Sequence, residues 1–362
     1  NAAREPETYN APLPTQPDTT SSPVAEEPEP TPSDEGMPIF NGGFMVLTSG
    51  QYKAIDYYGQ PMGFEAAMDS TNWVNDASVG TTKKSVAYGT NQGLTLVEFD
   101  GQRQLDFAGQ QRVSSVEFSR DASRIAWVTE EVVDMGVNVV LWLANADGSN
   151  PVRVYELTAE ETRAMPSTFE IYEWTADGKL LFGTKASGIG GYILFGGWNN
   201  LYLYDPASGI ITDLYINDGS SNMCVNSISN DLSMVAVGCK TIQIQNLQTG
   251  SVVDLPAVSE QNFAGSAKFS PNGKLVVYGT GRGNPEDEGG KLVVAPSDGT
   301  GDQTILAEIN KGYFQVLGWI DENHILYRAS AGFDSDPSVW RVSLDGSAPV
   351  KLTDGLFVGF IY

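Results

Sequence analysis

Histidine is almost absent from the sequence, since His324 is the only one among 362 residues. A metal centre built from several histidines is therefore excluded, and a Ser-His-Asp triad would have to use His324, which no GxSxG motif accompanies. The sequence also lacks a GxxxxGK phosphate loop, a GxGxxG followed by a helix, CxxC and CxxCH pairs, and a DxDxDG calcium loop. We therefore expect a protein without catalytic residues, in which His324 is a surface residue at the start of a strand.

Basic residues are scarce too, with 21 Lys and Arg against 45 Asp and Glu, which gives a formal net charge of −24. This balance argues against a basic surface that grips nucleic acid or anionic lipid. No run approaches the length of apolar sequence that a transmembrane helix needs. Glycine (39 residues) and aromatic residues (10 %) are plentiful, which favours a β protein with many tight turns.

Residues 1–42 differ from the rest of the chain in composition. Fragments such as PLPTQPDTTSSP and AEEPEPTPSDEG are rich in Pro, Thr and Glu and cannot bury a core, so we expect an extended linker or tail. Such segments are similar to the stalks of exported bacterial lipoproteins, and any membrane tether would lie upstream of Asn1. The tail is either a spacer or a strap that lies along a neighbouring subunit, with Tyr9 and Leu13 as its anchors.

One phrase recurs from residue 78 to residue 330 and is typical of β-hairpins. Each copy has a polar turn, often with Asp-Gly or Asn-Gly, followed by an alternating apolar strand, and a second hairpin comes after it. The copies are SVGTTKKSVAYGT (78–90), EFSRDASRIAWVT (117–129), EWTADGKLLFGT (173–184), SISNDLSMVAVG (227–238), KFSPNGKLVVYGT (268–280) and GWIDENHILYRAS (318–330).

Two hairpins make a four-stranded antiparallel unit of the size of a propeller blade. Six complete units fall at 74–109, 113–157, 169–216, 224–257, 266–309 and 315–354. Residues 43–66 supply three further strands, and 356–362 supplies one, whose VGFI aligns with LGWI at 317–320. The sequence therefore predicts an all-β, seven-bladed propeller over residues 43–362, closed by pairing of its C-terminal strand with the N-terminal blade.

The phrases FSPNGKLVVY (269–278), SDGT (297–300) and LDGSAPVKLT (344–353) resemble the repeats of TolB-like β-propellers. The resemblance covers 113–354 well and 43–109 weakly, and it implies the propeller fold. Such repeats occur in envelope scaffolds, peptidase accessory domains and surface proteins. The α/β domain of TolB has no counterpart in residues 1–42, and the hydrolase domain of the peptidases has none in this chain.

In each predicted blade the strands are named a to d from the innermost outwards. The long connections join strands b and c, or strand d and the next blade, so they share one face: 129–138, 157–168, 184–200, 280–290 and 328–338. We expect this face to bind a protein partner, because compact propellers keep unused loops short. Within 184–200, Tyr192, Phe195 and Trp198 lie among glycines and are the predicted partner contacts. Packing within the fold and membrane insertion are the alternatives.

Cys224 and Cys239 are the only cysteines, and they flank the first hairpin of the fifth blade. Aligning ISNDLSM with FSPNGKL pairs Ile228 with Met234, which places the two cysteines within one residue of facing each other. A disulfide is therefore expected, and with it an oxidising compartment. Two buried thiols are the alternative.

No metal ligand or cofactor is predicted, although two acidic loops, 286–288 and Asp334 with Asp336, are candidates for Ca²⁺. Neither loop supplies a full set of oxygen ligands by itself, and a solvated acidic surface is the better explanation of both.

We expect an exported, cell-surface, non-catalytic scaffold that binds a protein partner. One alternative is a structural subunit of an extracytoplasmic assembly held by its tail. The other is a propeller enzyme that acts on glycans or lactones through carboxylates or Ca²⁺, and it requires a carboxylate-lined pocket at one end of the central channel.

Overall fold

The computed structural model describes residues 42–67, 74–80, 85–98, 101–105, 111–186, 195, 197–217, 224–284, 287–332 and 337–361. The tail residues Tyr9 and Leu13, together with Tyr192, lie outside these ranges. Among the residues described, no helix has the length and apolarity that crossing a bilayer requires.

Within these described ranges, twenty-eight strands form seven four-stranded antiparallel sheets. Blade 1 contains β1 (Gly43–Thr48), β2 (Gln51–Asp56) and β3 (Pro61–Ala67); blade 2 contains β4 (Val74–Gly80), β5 (Ser85–Thr90), β6 (Gly93–Glu98) and β7 (Gly101–Leu105); blade 3 contains β8 (Arg112–Phe118), β9 (Arg124–Val133), β10 (Gly136–Asn145) and β11 (Val152–Leu157). A short helix, α1 (Ala159–Ala164), follows blade 3.

The remaining strands continue the same pattern. Blade 4 contains β12 (Ser167–Trp174), β13 (Leu180–Ala186), β14 (Asn200–Asp205) and β15 (Ile210–Tyr215). Blade 5 contains β16 (Val225–Ile228), β17 (Met234–Val237), β18 (Gln243–Asn246) and β19 (Val252–Asp254), and blade 6 contains β20 (Phe263–Phe269), β21 (Leu275–Gly281), β22 (Gly290–Pro296) and β23 (Thr304–Ile309). Blade 7 contains β24 (Tyr313–Trp319), β25 (His324–Ser330), β26 (Ser338–Ser343) and β27 (Val350–Asp354). The last strand, β28 (Leu356–Ile361), pairs with β1 and completes blade 1. The predicted seven-bladed ring with its one-plus-three closure is confirmed.

The recurring phrase forms the turn between strands a and b because its Ser or Thr folds back on the chain. In blades 3 and 6, the hydroxyls of Ser119 and Ser270 accept hydrogen bonds from the backbone N–H groups five residues on, at 2.9 and 3.0 Å. The fourth residue of the turn has left-handed backbone, with φ of 80° at Gly178 and 72° at Gly273. Glycine adopts this conformation at little cost, which explains the Asp-Gly and Asn-Gly pairs in the repeats.

The core lies between the blades. Each of the seven contacts between neighbouring blades is filled by a cluster of buried apolar side chains. The cluster between blades 2 and 3, for example, surrounds Trp127, which is fully buried and stacks on Trp142. Each blade therefore buries its apolar faces against its two neighbours, and the ring depends on every blade being present.

The innermost strands are joined to one another by side chains. Each has an unpaired inner edge, and backbone N–H groups on such an edge need acceptors. Asp76 and Ser78 of β4 accept from the N–H groups of Val116 and Phe118, each at 3.0 Å. Ser266 of β20 likewise accepts from the N–H of a residue in β24, at 3.1 Å. All seven innermost strands also carry a β-bulge. The extra residue of a bulge bends the strand and changes the direction in which the neighbouring side chains point.

Candidate functional site

A cavity of about 410 Å³ opens at one end of the central channel, on the face that carries the short a–b turns. Its walls come from the innermost strands of all seven blades and from turn residues such as Arg120, Asn230 and Pro271. We call this cavity the channel mouth. A second cavity of about 450 Å³ opens on the same face between blades 3 and 4, and it shares Ser119, Arg120 and Trp174 with the channel mouth. Both cavities lie on the face opposite the long connections, which the sequence did not single out.

Seven residues occupy the same register position, one per blade, where the innermost strands reach the channel mouth. In ring order from blade 1 they are Gly359, Ser78, Glu117, Glu173, Ser227, Lys268 and Gly318. The charged residues are thus confined to blades 3, 4 and 6, whereas blades 1 and 7 present glycine. The channel mouth therefore has one charged side and one open side.

Glu117 is the most perturbed carboxylate of the site. Burial, and then the negative charges of Asp76 and Glu173, raise its pKa to about 8, although a hydrogen bond with Ser78 acts in the other direction. At neutral pH this carboxyl group is therefore mostly protonated. Asp76, deeper in the channel, accepts hydrogen bonds from Ser115 and from backbone N–H groups, yet burial raises its pKa to about 6.

Glu173 and Lys268 form the second part of the charged side. The Lys268 ammonium lies 4.3 Å above the ring of Tyr172 and donates a hydrogen bond of 3.1 Å to its hydroxyl. Burial raises the pKa of Glu173, whereas the charges of Lys268 and Arg120 oppose that rise. Burial lowers the pKa of Lys268, with Glu173 and Glu170 acting against it. The site thus holds one internal cation that is already engaged by an aromatic ring and a carboxylate.

The open side of the channel mouth is apolar. A Cβ atom on Gly318 would lie 2.8 Å from the ring of Phe360, so the absence of a side chain there leaves room for that ring. Trp319 also lines this side, and its indole donates to the carbonyl of Lys268 at 3.1 Å. On the charged side, Trp174 of blade 4 is only 2 % exposed and borders both cavities, and among the described residues its indole N–H has no hydrogen-bond partner. A ligand in this cavity would therefore meet carboxylates on one side and aromatic rings on the other.

The opposite face carries a projecting hairpin. The segment 129–138 is not a loop as expected, because β9 and β10 continue through it and pair as far as Gly136 with Val133. Helix α1, in the connection predicted to be a loop, holds this extension: the Thr162 hydroxyl exchanges hydrogen bonds with the N–H and carbonyl of Val137, both at 2.8 Å. The hairpin is therefore a rigid element.

The structure describes two of the five predicted partner contacts, and both pack on their own propeller. Phe195 is 6 % exposed and lies against Gly265 and Gly279 of blade 6. Trp198 pairs with Val225 of blade 5 through two backbone hydrogen bonds, and its ring meets Tyr172 at 4.7 Å between ring centroids. The connection between β13 and β14 of blade 4 thus reaches over blade 5 to blade 6, and these two side chains are not exposed anchors. Tyr192, Tyr9 and Leu13, outside the described residues, stay predictions.

A disulfide joins Cys224 and Cys239, with Cα atoms 5.8 Å apart. The register differs from the expected one, because Ile228 pairs with Val235 and not with Met234. A bulge at Asn226 places one extra residue in β16 and compensates for this one-residue shift in register. The carbonyl of Cys224 therefore accepts a hydrogen bond from the N–H of Gly238, and the two cysteine side chains face each other.

Within the described part of the chain, no group of three or more His, Cys, Asp or Glu side chains could hold a metal ion. Of the two candidate Ca²⁺ loops, Glu286, Asp334 and Asp336 lie outside the described residues. His324 lies 2.9 Å from Asp321 through its Nδ1 atom, on the face of the short turns, where it links a turn to the start of β25.

The charged residues of the channel mouth were missed in the sequence, although the signal was present. They stand first in the recurring phrases, as in EFSRD, EWTAD and KFSPN, immediately before the aromatic residue that packs between blades. A charge at that position is unexpected in a strand that is otherwise buried, and its place in the ring becomes visible only when the blades are superposed by register.

Comparison with known proteins gives matches in structure alone. No protein-family model matches the chain, and no curated protein matches its sequence. A solved prolyl endopeptidase structure has a TM-score of 0.55 at 13 % identity, over 86 % of this chain and 50 % of its own. TolB of Agrobacterium tumefaciens has a TM-score of 0.42 at 14 % identity, over 76 % of this chain and 91 % of its own.

TolB of Acinetobacter baumannii has a TM-score of 0.41 at 17 % identity, over 75 % of this chain and 65 % of its own. This chain therefore spans less than two thirds of that TolB and half of the prolyl endopeptidase. The chain is a seven-bladed β-propeller, and TolB proteins, whose repeats its own repeats resemble, are among the solved structures similar to it.

Proposed function

We propose that the protein is an extracytoplasmic, non-catalytic scaffold that binds a protein partner through the face of its long connections. The observation that carries this proposal is the tip of the β9–β10 hairpin. Val132 is 79 % exposed there and Met135 is 85 % exposed, and Met165, on the adjoining connection, is 66 % exposed. Exposed apolar side chains that lie close together on one element mark an interaction surface, whereas singly scattered ones are ordinary.

The hairpin is suited to binding because it is already ordered. Besides the Thr162 bonds, the Ala159 N–H of α1 donates to the Asn138 side chain at 2.7 Å. A preformed element loses little conformational freedom on association, which favours affinity. Glu131 and Asp134 flank the apolar tip, so the matching partner surface is an apolar patch with basic residues at its rim.

The disulfide supports a location outside the cytoplasm, since such bonds form and persist in oxidising compartments. A cell-surface location, with residues 1–42 as a spacer from a bacterial envelope, agrees with the composition of that segment. If the segment is instead a strap on a neighbouring subunit, the protein is a structural part of an assembly.

Site-specific cross-linking in the native envelope tests the scaffold proposal. A photoreactive residue at Met135 should capture a defined protein, whereas the same residue at Ile210, also exposed but on the outer strand of blade 4, should not. The captured protein is then purified and titrated. The double variant V132S/M135S should weaken its affinity at least tenfold, and I210S should leave it unchanged. Equal affinities for both variants would refute the role of the hairpin.

A second candidate function, that of a carboxylate enzyme, is favoured by the channel mouth. Glu117, with its pKa of about 8, has the protonation state of a general acid, and Glu173 lies at the adjacent ring position. A screen with aryl glycosides and lactones tests it. Hydrolysis by the wild type that is lost in both E117Q and E173Q would establish the enzymatic function. Absence of turnover across the screen would count against it and in favour of the scaffold function.

A further inference from the structure

Glu117 is a half-buried acid that lines the channel mouth, and no cation of the described residues is paired with it. Among the described residues it has no ion pair, and its one side-chain hydrogen bond is with Ser78. The charged and titratable groups that face it are Asp76 from β4, Glu173 and Tyr172 from β12, Lys268 from β20, and Arg120 from its own a–b turn.

The cations present serve other partners. The Arg120 guanidinium lies 4.0 Å from Glu173 and donates through Nε to the carbonyl of Trp174 at 2.9 Å. The Lys268 ammonium is engaged by Tyr172 and by the charge of Glu173. When the Glu117 carboxyl ionises, it therefore has no cation of its own, and it lies beside a cavity large enough for a small ligand.

We propose that the channel mouth binds an organic cation, namely the ammonium or guanidinium end of a lysine or arginine side chain, with Glu117 as its principal carboxylate partner. Trp319 and Phe360, on the apolar side, would cover its aliphatic stem. This site lies on the face opposite the hairpin and does not depend on the scaffold proposal.

The chemistry favours an organic cation over the other classes of ligand. An anion would meet Asp76, Glu117 and Glu173 in a chain of net charge −24. A bare metal ion would need several oxygen ligands, and within the described residues no group of three or more acidic, His or Cys side chains could supply them. Aromatic walls attract organic cations through their ring faces.

Binding is coupled to the loss of a proton. Because the pKa of Glu117 is about 8, the cation must displace the proton that this carboxyl carries at pH 7. Affinity should therefore rise with pH, by up to about tenfold per unit below pH 8, and level off above it. Asp76, with a pKa of about 6, adds a smaller dependence at lower pH.

Isothermal titration of the full chain tests the site with four probes. These are the N-acetyl methylamides of lysine, arginine and norleucine, and butane-1,4-diamine. The two basic amino-acid derivatives should bind at pH 8.5, and norleucine, which has the same stem without the charge, should not. Tighter binding of the diamine than of the amino-acid derivatives would assign the site to free polyamines in place of a peptide side chain and so overturn the peptide form of the proposal.

The variant E117Q should weaken binding at least tenfold, and it should fold because glutamine imitates the protonated acid. E131Q removes the same charge from the far hairpin and should bind like the wild type. K268M should strengthen cation binding, because removing the Lys268 ammonium leaves the Glu173 carboxylate available to the ligand. A separate measurement needs no variant: at pH 7, heats in buffers of different ionisation enthalpy should show the release of close to one proton per cation bound. Release of no proton, or equal affinity of E117Q and wild type, would overturn the proposal.

Discussion

The protonation of Glu117 links the chemistry of the channel to the stability of the fold. Its pKa of about 8 in the folded chain compares with 4.5 for an ordinary glutamate. Between these two values the folded state holds a proton that the unfolded state has released, so stability falls as the pH rises through this window. Below pH 4.5 the stabilisation that comes from the raised pKa of Glu117 is fully present, and above about pH 8 it has been lost.

Replacing Glu117 by Gln should remove this pH dependence. We expect the melting temperature of E117Q to match that of the wild type near pH 4.5 and to exceed it by about 3 °C or more at pH 9. Calorimetric scans across the range measure the difference, and E131Q serves as the exposed control. A difference that stays constant with pH would show that the folded-state pKa of Glu117 is ordinary.

Phe195 was predicted as a partner contact, yet the fold uses it as core. Its ring fills the space left by Gly265 and Gly279 in blade 6, contacts that are remote in sequence and that no local pattern shows. The variant F195A should therefore cost about 3 kcal/mol of unfolding free energy, because it leaves a cavity between elements. Denaturant titration measures this loss, and I210A, at an exposed position, should change stability by less than about 0.5 kcal/mol. An F195A variant with the same unfolding free energy as the wild type would contradict a core position for Phe195.

Among the elements, blade 5 combines short strands with the one disulfide. Its strands have four, four, four and three residues, so few ladder hydrogen bonds hold it. The disulfide closes a loop with a sequence separation of 15 across its first hairpin. The cross-link therefore lies at the blade with the least secondary structure to hold it together.

The double variant C224S/C239S should be less stable than the wild type. In the chain-entropy model, a loop of this size contributes about 3 kcal/mol, which corresponds to a drop in melting temperature of about 5–10 °C. Differential scanning calorimetry measures the drop. Adding reductant should lower the melting temperature of the wild type by a similar amount and leave that of the variant unchanged. A variant as stable as the wild type would mean that blade 5 is held by its neighbours alone.

Most of the blade pattern could be predicted because the signals are local. The Ser119 and Ser270 turns, with a left-handed residue at the fourth position, are written into four or five consecutive residues. The bulges of the innermost strands were not predictable, since a bulge such as that at Asn226 leaves no mark in the apolar alternation. The helix α1 was missed because a six-residue helix shows too little periodicity.

At the scale of the whole molecule, the channel mouth is the feature that the sequence concealed. Glu117, Glu173 and Lys268 are separated by 56 and 95 positions, and only the ring brings their strands to a common axis. The projecting hairpin, by contrast, could be predicted as a long connection on one face. Both sites depend on an intact ring, because each is positioned by strands from blades that pack on their neighbours.

The ring depends in turn on one strand, β28, which pairs with β1 through residues 356–361. Phe357 packs against Phe44 and Phe360, and Val358 and Ile361 join the cluster between blades 1 and 2. Deleting 356–362 should therefore expose the edge of β1 and open the contact between blades 1 and 7. We expect aggregation, or a melting temperature lowered by more than about 10 °C, well beyond the effect of trimming a frayed terminus. The peptide LFVGFIY, added in trans, should restore part of this loss by strand addition, whereas a scrambled peptide should not. A truncated chain that melts within about 2 °C of the full-length chain would contradict closure by β28.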